Sequence, residues 1–190
     1  MTNHNGIPTN GVEKQTIVLY VEDKPGVLNR VASLFRRRAF NIESLTVGHT
    51  DLEGVSRMTI VLDADEDTAL RVEANLYKLV NVLRVENVTH TPSVARDLAL
   101  IKVKADIENR AEVLQVCDVF RARVVDVAAD ALIVEITGLE EKIEGLLDVL
   151  RPFGILEMVR TGRVCMTRGS DTPTIHPEFV PARVPEEIAS

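Results

Sequence analysis

Asp23, Lys24, Pro25 and Gly26, set between Val21 and Leu28, place a carboxylate, a helix-starting proline and a residue without Cβ within four positions. This combination suits recognition of a small zwitterion. If a helix starts here, its first N–H groups, those of Gly26, Val27 and Leu28, lack intrahelical acceptors and face an anion. Asp23 can act as the N-cap acceptor or take an ammonium group. Pro25 suits the first helical position, where its missing N–H is not needed, and Gly26 lets a ligand approach the backbone. An α-amino acid carries both charges, and the turn offers a partner to each. A plain strand-turn-helix connection uses the same residue types, so the surrounding elements have to discriminate.

Those elements are legible as a change of period. Thr16 to Val21 is apolar and rich in β-branched residues, as in a buried strand. Val27, Leu28, Val31, Leu34 and Phe35 recur at helical spacing, and Arg36, Arg37 and Arg38 suit the negative end of that helix. Asn41 to His49 alternates as a strand with Leu45 and Val47 on one side, Gly48 to Gly54 is a polar turn, and Met58, Ile60 and Leu62 mark the returning strand. The acidic run Asp63 to Asp67 lacks the spaced ligands and closing Glu of a calcium loop and reads as a helix N-terminus. The helix from Thr68 to Leu79 is expected to turn Leu70, Ala74 and Tyr77 inward, and the strand from Val82 to Val88 to turn Leu83 and Val85 inward. The order β-α-β-β-α-β, in roughly 75 residues, is the ferredoxin-like arrangement: an antiparallel four-stranded sheet with both helices on one face.

Thr89 to Ser93, with Pro92, interrupts the pattern, after which the order repeats. Leu98 to Lys104 is a strand with Ala99, Ile101 and Val103 on one face. Asp106 to Phe120 is a helix carrying Val113, Val116, Cys117 and Phe120 inward. Arg123 to Val127 and Leu132 to Thr137 form a hairpin. A further helix follows on Leu139, Ile143, Leu146, Leu147 and Leu150, then a long strand from Ile155 to Met166 bent at Gly162. The expected class is therefore α+β, two tandem βαββαβ domains spanning 15–92 and 93–170. Residues 1–14 read as a disordered tail, and residues 171–190, with prolines at 173, 177, 181 and 185, as a second one.

Composition narrows the function. Twenty-nine acidic against 22 basic residues give a net charge of −7, which argues against a nucleic-acid surface. Cys117 and Cys165 lie in apolar runs without metal-ligand spacing and read as reduced core residues of a cytoplasmic protein. No signal-peptide pattern or apolar run of membrane-spanning length is present, and no membrane partner is expected. The chain has no Gly-rich phosphate loop or nucleophile elbow. Its histidines, His4, His49, His90 and His176, fall in tails, at a hairpin end or at the domain boundary. No catalytic residue and no metal ligand is therefore assigned, and a ligand sensor is a better expectation than an enzyme.

The run V-E-D-K-P-G-V-L from Val21 resembles the small regulatory subunit of acetohydroxyacid synthase, also called acetolactate synthase. So do F-N-I-E-S-L-T-V from Phe40, S-R-M-T-I from Ser56 and L-Y-K-L-V-N-V-L-R-V from Leu76. In the second half, L-A-L-I-K-V from Leu98, F-R-A-R-V-V-D-V from Phe120 and R-P-F-G-I-L-E from Arg151 continue the likeness, which covers about residues 15 to 169. The resemblance implies an N-terminal ACT domain that dimerises and binds a branched-chain amino acid, chiefly valine, at the dimer interface, followed by a C-terminal ACT-like domain. It also implies a separate large catalytic subunit that carries thiamine diphosphate, magnesium and FAD; none of these cofactors is assigned to this chain. On that likeness the effector site comprises Asp23, Gly26, Val27 and Leu28 of one protomer, with Asn41 and Ile42 across the interface. Asp23 or Asn41 would hold the ammonium, and Leu28 and Ile42 would enclose the isopropyl group. Many members carry Asn where this chain has Asp23, whose added charge helps an ammonium and repels a carboxylate. The alternative reading is a free-standing amino-acid-sensing ACT protein.

Overall fold

The computed structural model describes residues 11–170 and residue 175. The two terminal tails expected from sequence lie largely outside these residues, although the first strand already begins at Glu13. The described residues divide into two compact units, one of residues 94–166 and one of residues 11–93 with 167–170 and 175.

In the first unit the order is β1 (Glu13–Glu22), α1 (Val27–Arg37), β2 (Ser44–His49), β3 (Val55–Ala64), α2 (Glu66–Leu76) and β4 (Val82–Asn87). The strands form one antiparallel sheet in the order β2-β3-β1-β4. Alternation along β1 sends Ile17, Leu19 and Val21 into the core, where Met58, Ile60 and Leu62 of β3 meet Val31, Leu34 and Phe35 of α1 and Val72 and Leu76 of α2. Each such side chain contributes about 1.5–3 kcal/mol on burial, so this contact fixes which face of the sheet the helices cover.

Three local expectations are corrected. The buried face of α2 is Ala69, Val72 and Leu76; Leu70 and Ala74 are exposed, and half-exposed Tyr77, the C-cap, turns its hydroxyl to the backbone of Val85, donating to the carbonyl at 2.9 Å and accepting the N–H at 3.2 Å. Asp65 accepts the Thr68 N–H at 2.8 Å as N-cap, starting the helix at Glu66 rather than Thr68, and Val72 and Leu76 pack into the core. In β4 a register shift opposite Tyr20 and Val21 takes Leu83 out of the inward row, which passes through Val82 and Val85. Leu28 of α1 is half-exposed, and Val27 takes the inward position.

The second unit repeats the topology with β5 (Ser93–Lys104), α3 (Arg110–Phe120), β6 (Arg123–Val127), β7 (Ala131–Gly138), α4 (Glu140–Leu150) and β8 (Ile155–Arg160). Its sheet runs β6-β7-β5-β8, and β9 (Val164–Thr167) also pairs with β5. The long strand expected from Ile155 to Met166 is thus two strands, interrupted at residues 161–163 around Gly162. Ala99, Ile101 and Val103 are fully buried against Leu132, Val134 and Ile136 and the leucines of α4. Helix α3 starts at Arg110, four residues later than the periodicity suggests. The Asp106 carboxylate accepts the N–H groups of Glu108 and Asn109 at 3.0 and 3.2 Å and holds residues 106–109 in a turn. Cys117 and Cys165 are buried free thiols, and burial, followed by the Asp118 charge, pushes the Cys117 thiol pKa up.

Candidate functional site: the turn between β1 and α1

The turn joins the buried end of β1 to the first turn of α1. Its backbone is held by Asp23 N–H donating to Gly54 O at 2.8 Å, Lys24 N–H to Glu22 O at 3.0 Å and Val27 N–H to Lys24 O at 3.3 Å. Gly26 is the N-cap, with φ 84° and ψ −6°, and no side chain caps the helix. Two expectations are therefore corrected. Pro25 lies before the helix rather than at its first position, because Gly26 in the left-handed region separates them. Asp23 is not the N-cap acceptor; its carboxylate lies 3.2 Å from Nδ1 of His49, at the end of β2.

What remains is an uncapped helix N-terminus. The N–H of Val27 is spent on the turn, whereas those of Gly26, Leu28 and Asn29 have no acceptor among the described residues. A Cβ built on Gly26 meets nothing within 4 Å, so the glycine is demanded by its φ and not by a crowded neighbour. Three N–H groups at the positive end of a helix can receive a carboxylate. Asp23, half-exposed beside them, can receive an ammonium.

A clamp flanks the turn on both sides. Asn81, only 9% exposed in the loop before β4, donates through Nδ2 to Glu22 Oε2 and accepts at Oδ1 from Arg30 Nη1 at 2.5 Å. Its carbonyl also accepts the Glu22 N–H at 2.9 Å. Lys24 Nζ lies 3.0 Å from Glu22 Oε1. The Asn81 hydrogen bond, followed by that from Lys24, holds the Glu22 carboxyl below its usual pKa.

Asp23, Gly26, Val27 and Leu28 thus sit together, but Asn41 and Ile42 do not join them within one chain. Strand β2 starts with Ser44 beside Val61 and ends with His49 beside Ser56, next to the Gly54 carbonyl that holds Asp23. Asn41 and Ile42 precede its far end, and the six residues of β2 at about 3.3 Å each set the two groups roughly 20 Å apart. Asn41 is exposed and donates to Glu43 Oε1 at 2.5 Å, while Ile42 packs partly against the core.

Residues 17–84 match the model of the AHAS small subunit-like ACT domain, and residues 96–169 match that of the small subunit of acetolactate synthase. The acetolactate synthase small subunit of Mycolicibacterium smegmatis is 47% identical over 161 residues, covering 85% of this chain and 95% of the relative. The chain belongs to the acetolactate synthase small-subunit family. Another member, from Mycobacterium leprae, is 50% identical over 159 residues, covering 84% of this chain and 94% of the relative. Among solved structures, the acetolactate synthase small subunit of Thermotoga maritima superposes with a TM-score of 0.77 at 38% identity, over 84% of this chain and 99% of that one. The first unit is accordingly an ACT domain, and the second is the family's C-terminal domain built on the same strand order. Among the described residues no group of three or more His, Cys, Asp or Glu is placed to hold a metal ion, and no helix is long and apolar enough to cross a membrane.

Proposed function

We propose that this chain is the regulatory subunit of acetolactate synthase, non-catalytic by itself. It raises the activity of the large catalytic subunit and lowers it again when valine occupies the ACT domain. The supporting observation is the uncapped turn at Gly26, which offers N–H donors to a carboxylate beside an acidic group for an ammonium. Thiamine diphosphate, magnesium and FAD belong to the large subunit, which carries out the condensation of pyruvate with pyruvate or 2-oxobutyrate.

The site is completed by a second copy. Strand β2 is an edge strand whose outer side has no neighbour within the sheet. Pairing two such edges antiparallel about a two-fold axis sets the beginning of one β2 beside the end of the other. That brings Asn41 and Ile42 of one protomer to the Asp23–Leu28 turn of its partner, across the distance that separates them within one chain. Half-exposed Leu28 and the partner's Ile42 then enclose the isopropyl group. Regulation follows as a population shift: valine stabilises one arrangement of the dimer, and the large subunit is activated by the other. The test is acetolactate formation by the cognate large subunit, with and without this protein, across a valine titration. Stimulation that valine reverses is the expected result. Stimulation without a valine response removes the effector assignment, and no stimulation points to a free-standing amino-acid sensor.

A further inference from the structure

We propose that Asn81 is the positioning residue of the effector turn, acting through Glu22 and Arg30, and that the donor and acceptor polarity of this clamp sets the affinity for the amino acid. The inference rests on the reading of residues 23–28 as the effector site. Glu22 immediately precedes the turn, and Arg30 lies one helical turn beyond it, its own N–H donating to the Gly26 carbonyl at 3.0 Å. Both ends of the turn are therefore fixed to one buried amide, whose Nδ2 and Oδ1 are each committed. Between these anchors no side chain caps the helix and the Gly26 N–H has no acceptor. Converging several N–H groups on one carboxylate demands placement to a fraction of an ångström. The clamp supplies that placement without touching the ligand: Asn81 faces Glu22 and Arg30, not the Gly26 N–H.

Asn81→Asp preserves the volume of the side chain and the acceptor for Arg30 but sets a second carboxylate against Glu22. Valine binding by the full-length protein, followed by titration calorimetry at neutral pH, is expected to weaken about ten-fold or more, the size of one lost charge-assisted hydrogen bond. Adding Glu22→Gln to the same chain restores the polarity, since the new amide can donate to the new carboxylate. Affinity should return to within about three-fold of wild type, by the same conversion of bond energy to binding. A residue that only fills space would tolerate Asn81→Asp, and one that touches the ligand would not be rescued by a change at position 22; either result overturns the proposal. Thermal melting accompanies each variant. If Asn81→Asp does not fold, Arg30→Met, on the exposed side of α1, breaks the clamp from the other end and is expected to weaken binding several-fold. Unchanged affinity in Arg30→Met likewise contradicts the proposal. Wild-type protein that binds no valine would instead overturn the effector site itself, and the clamp variants then have nothing to modulate.

Discussion

Residues 23–26 and residues 105–109 stand at the same place in two sheets of the same strand order, between the first strand and the first helix, and bond the helix N-terminus to different extents. In the ACT domain the turn is short, its N-cap is a left-handed glycine, and the donors of Gly26, Leu28 and Asn29 are left open. In the C-terminal domain more of the donors around the helix start are taken: Arg110 N–H goes to the Asp106 carbonyl and Glu112 and Val113 N–H to that of Asn109, which leaves Ala111 N–H open in the first turn among the described residues. The Asp106 carboxylate takes the N–H groups of Glu108 and Asn109, and the Arg110 guanidinium fans out to the carbonyls of Ala105, Ala128 and Ala129 at 2.7 to 3.2 Å. The one buried side-chain atom left without a partner among the described residues is Asn109 Oδ1, an acceptor, which does not attract a carboxylate. The same strand order thus carries a helix start with three open N–H groups in one unit and a more fully bonded one in the other, and the difference lies in about five residues of turn chemistry.

The largest expected effect breaks the open turn. Gly26→Asp places a β-carbon on a φ of 84° and a carboxylate where the ligand's own should sit. Combined with Asn41→Ala it should abolish valine inhibition while stimulation of the large subunit persists; loss of stimulation as well would show that the two functions are not separable at this site. A smaller effect is expected at the turn before α3. Arg110→Met removes the donor to three carbonyls, of which those of exposed Ala128 and Ala129 are taken over by water, and should cost about 1 kcal/mol of stability in denaturant unfolding. Valine affinity should be unchanged, and a shift there would mean that the C-terminal turn contributes to effector binding. The smallest effect is on acid stability. Glu22 has a folded pKa below its unfolded value, so its contribution is present above the unfolded value and disappears as the pH falls through the folded one. Wild type should therefore exceed Glu22→Gln in melting temperature at neutral pH, and the gap should narrow only on the acid side. A gap that does not change with pH would assign the effect to packing.

Much of this contrast was readable from the chain. The switch of period from Ile17, Leu19 and Val21 to Val31, Leu34 and Phe35 locates the turn, and the alternation of Ala99, Ile101 and Val103 locates the second core. Local signals failed where tertiary contacts decide. In α2 a face one residue away from the true one scores well in periodicity, because Leu70 and Tyr77 are larger than Ala69, and the choice is made by the packing of Val72 and Leu76 into the core of the first unit. The β4 register shift is invisible until Tyr20 and Val21 are laid beside it. Asp23 suited an N-cap on residue type, but its carboxylate instead meets His49, which read only as the end of a hairpin. Asn81 carried no signal of its own in the sequence, because its partners Glu22 and Arg30 lie 59 and 51 positions away. The separation of Asn41 from Gly26 needed the strand order, which no spacing in the sequence displays.

That separation also gives the most direct measurement of the central claim, an effector site shared between two copies. Chains carrying Gly26→Asp and chains carrying Asn41→Ala are each expected to lose valine binding as pure dimers. In a mixed dimer one site combines both lesions, and the other combines an intact turn with an intact Asn41. Calorimetry on differently tagged, purified mixed dimers should therefore recover about one valine per dimer at near wild-type affinity. Mixed dimers that bind no valine, when wild type does, would place the whole site within a single chain and contradict the account.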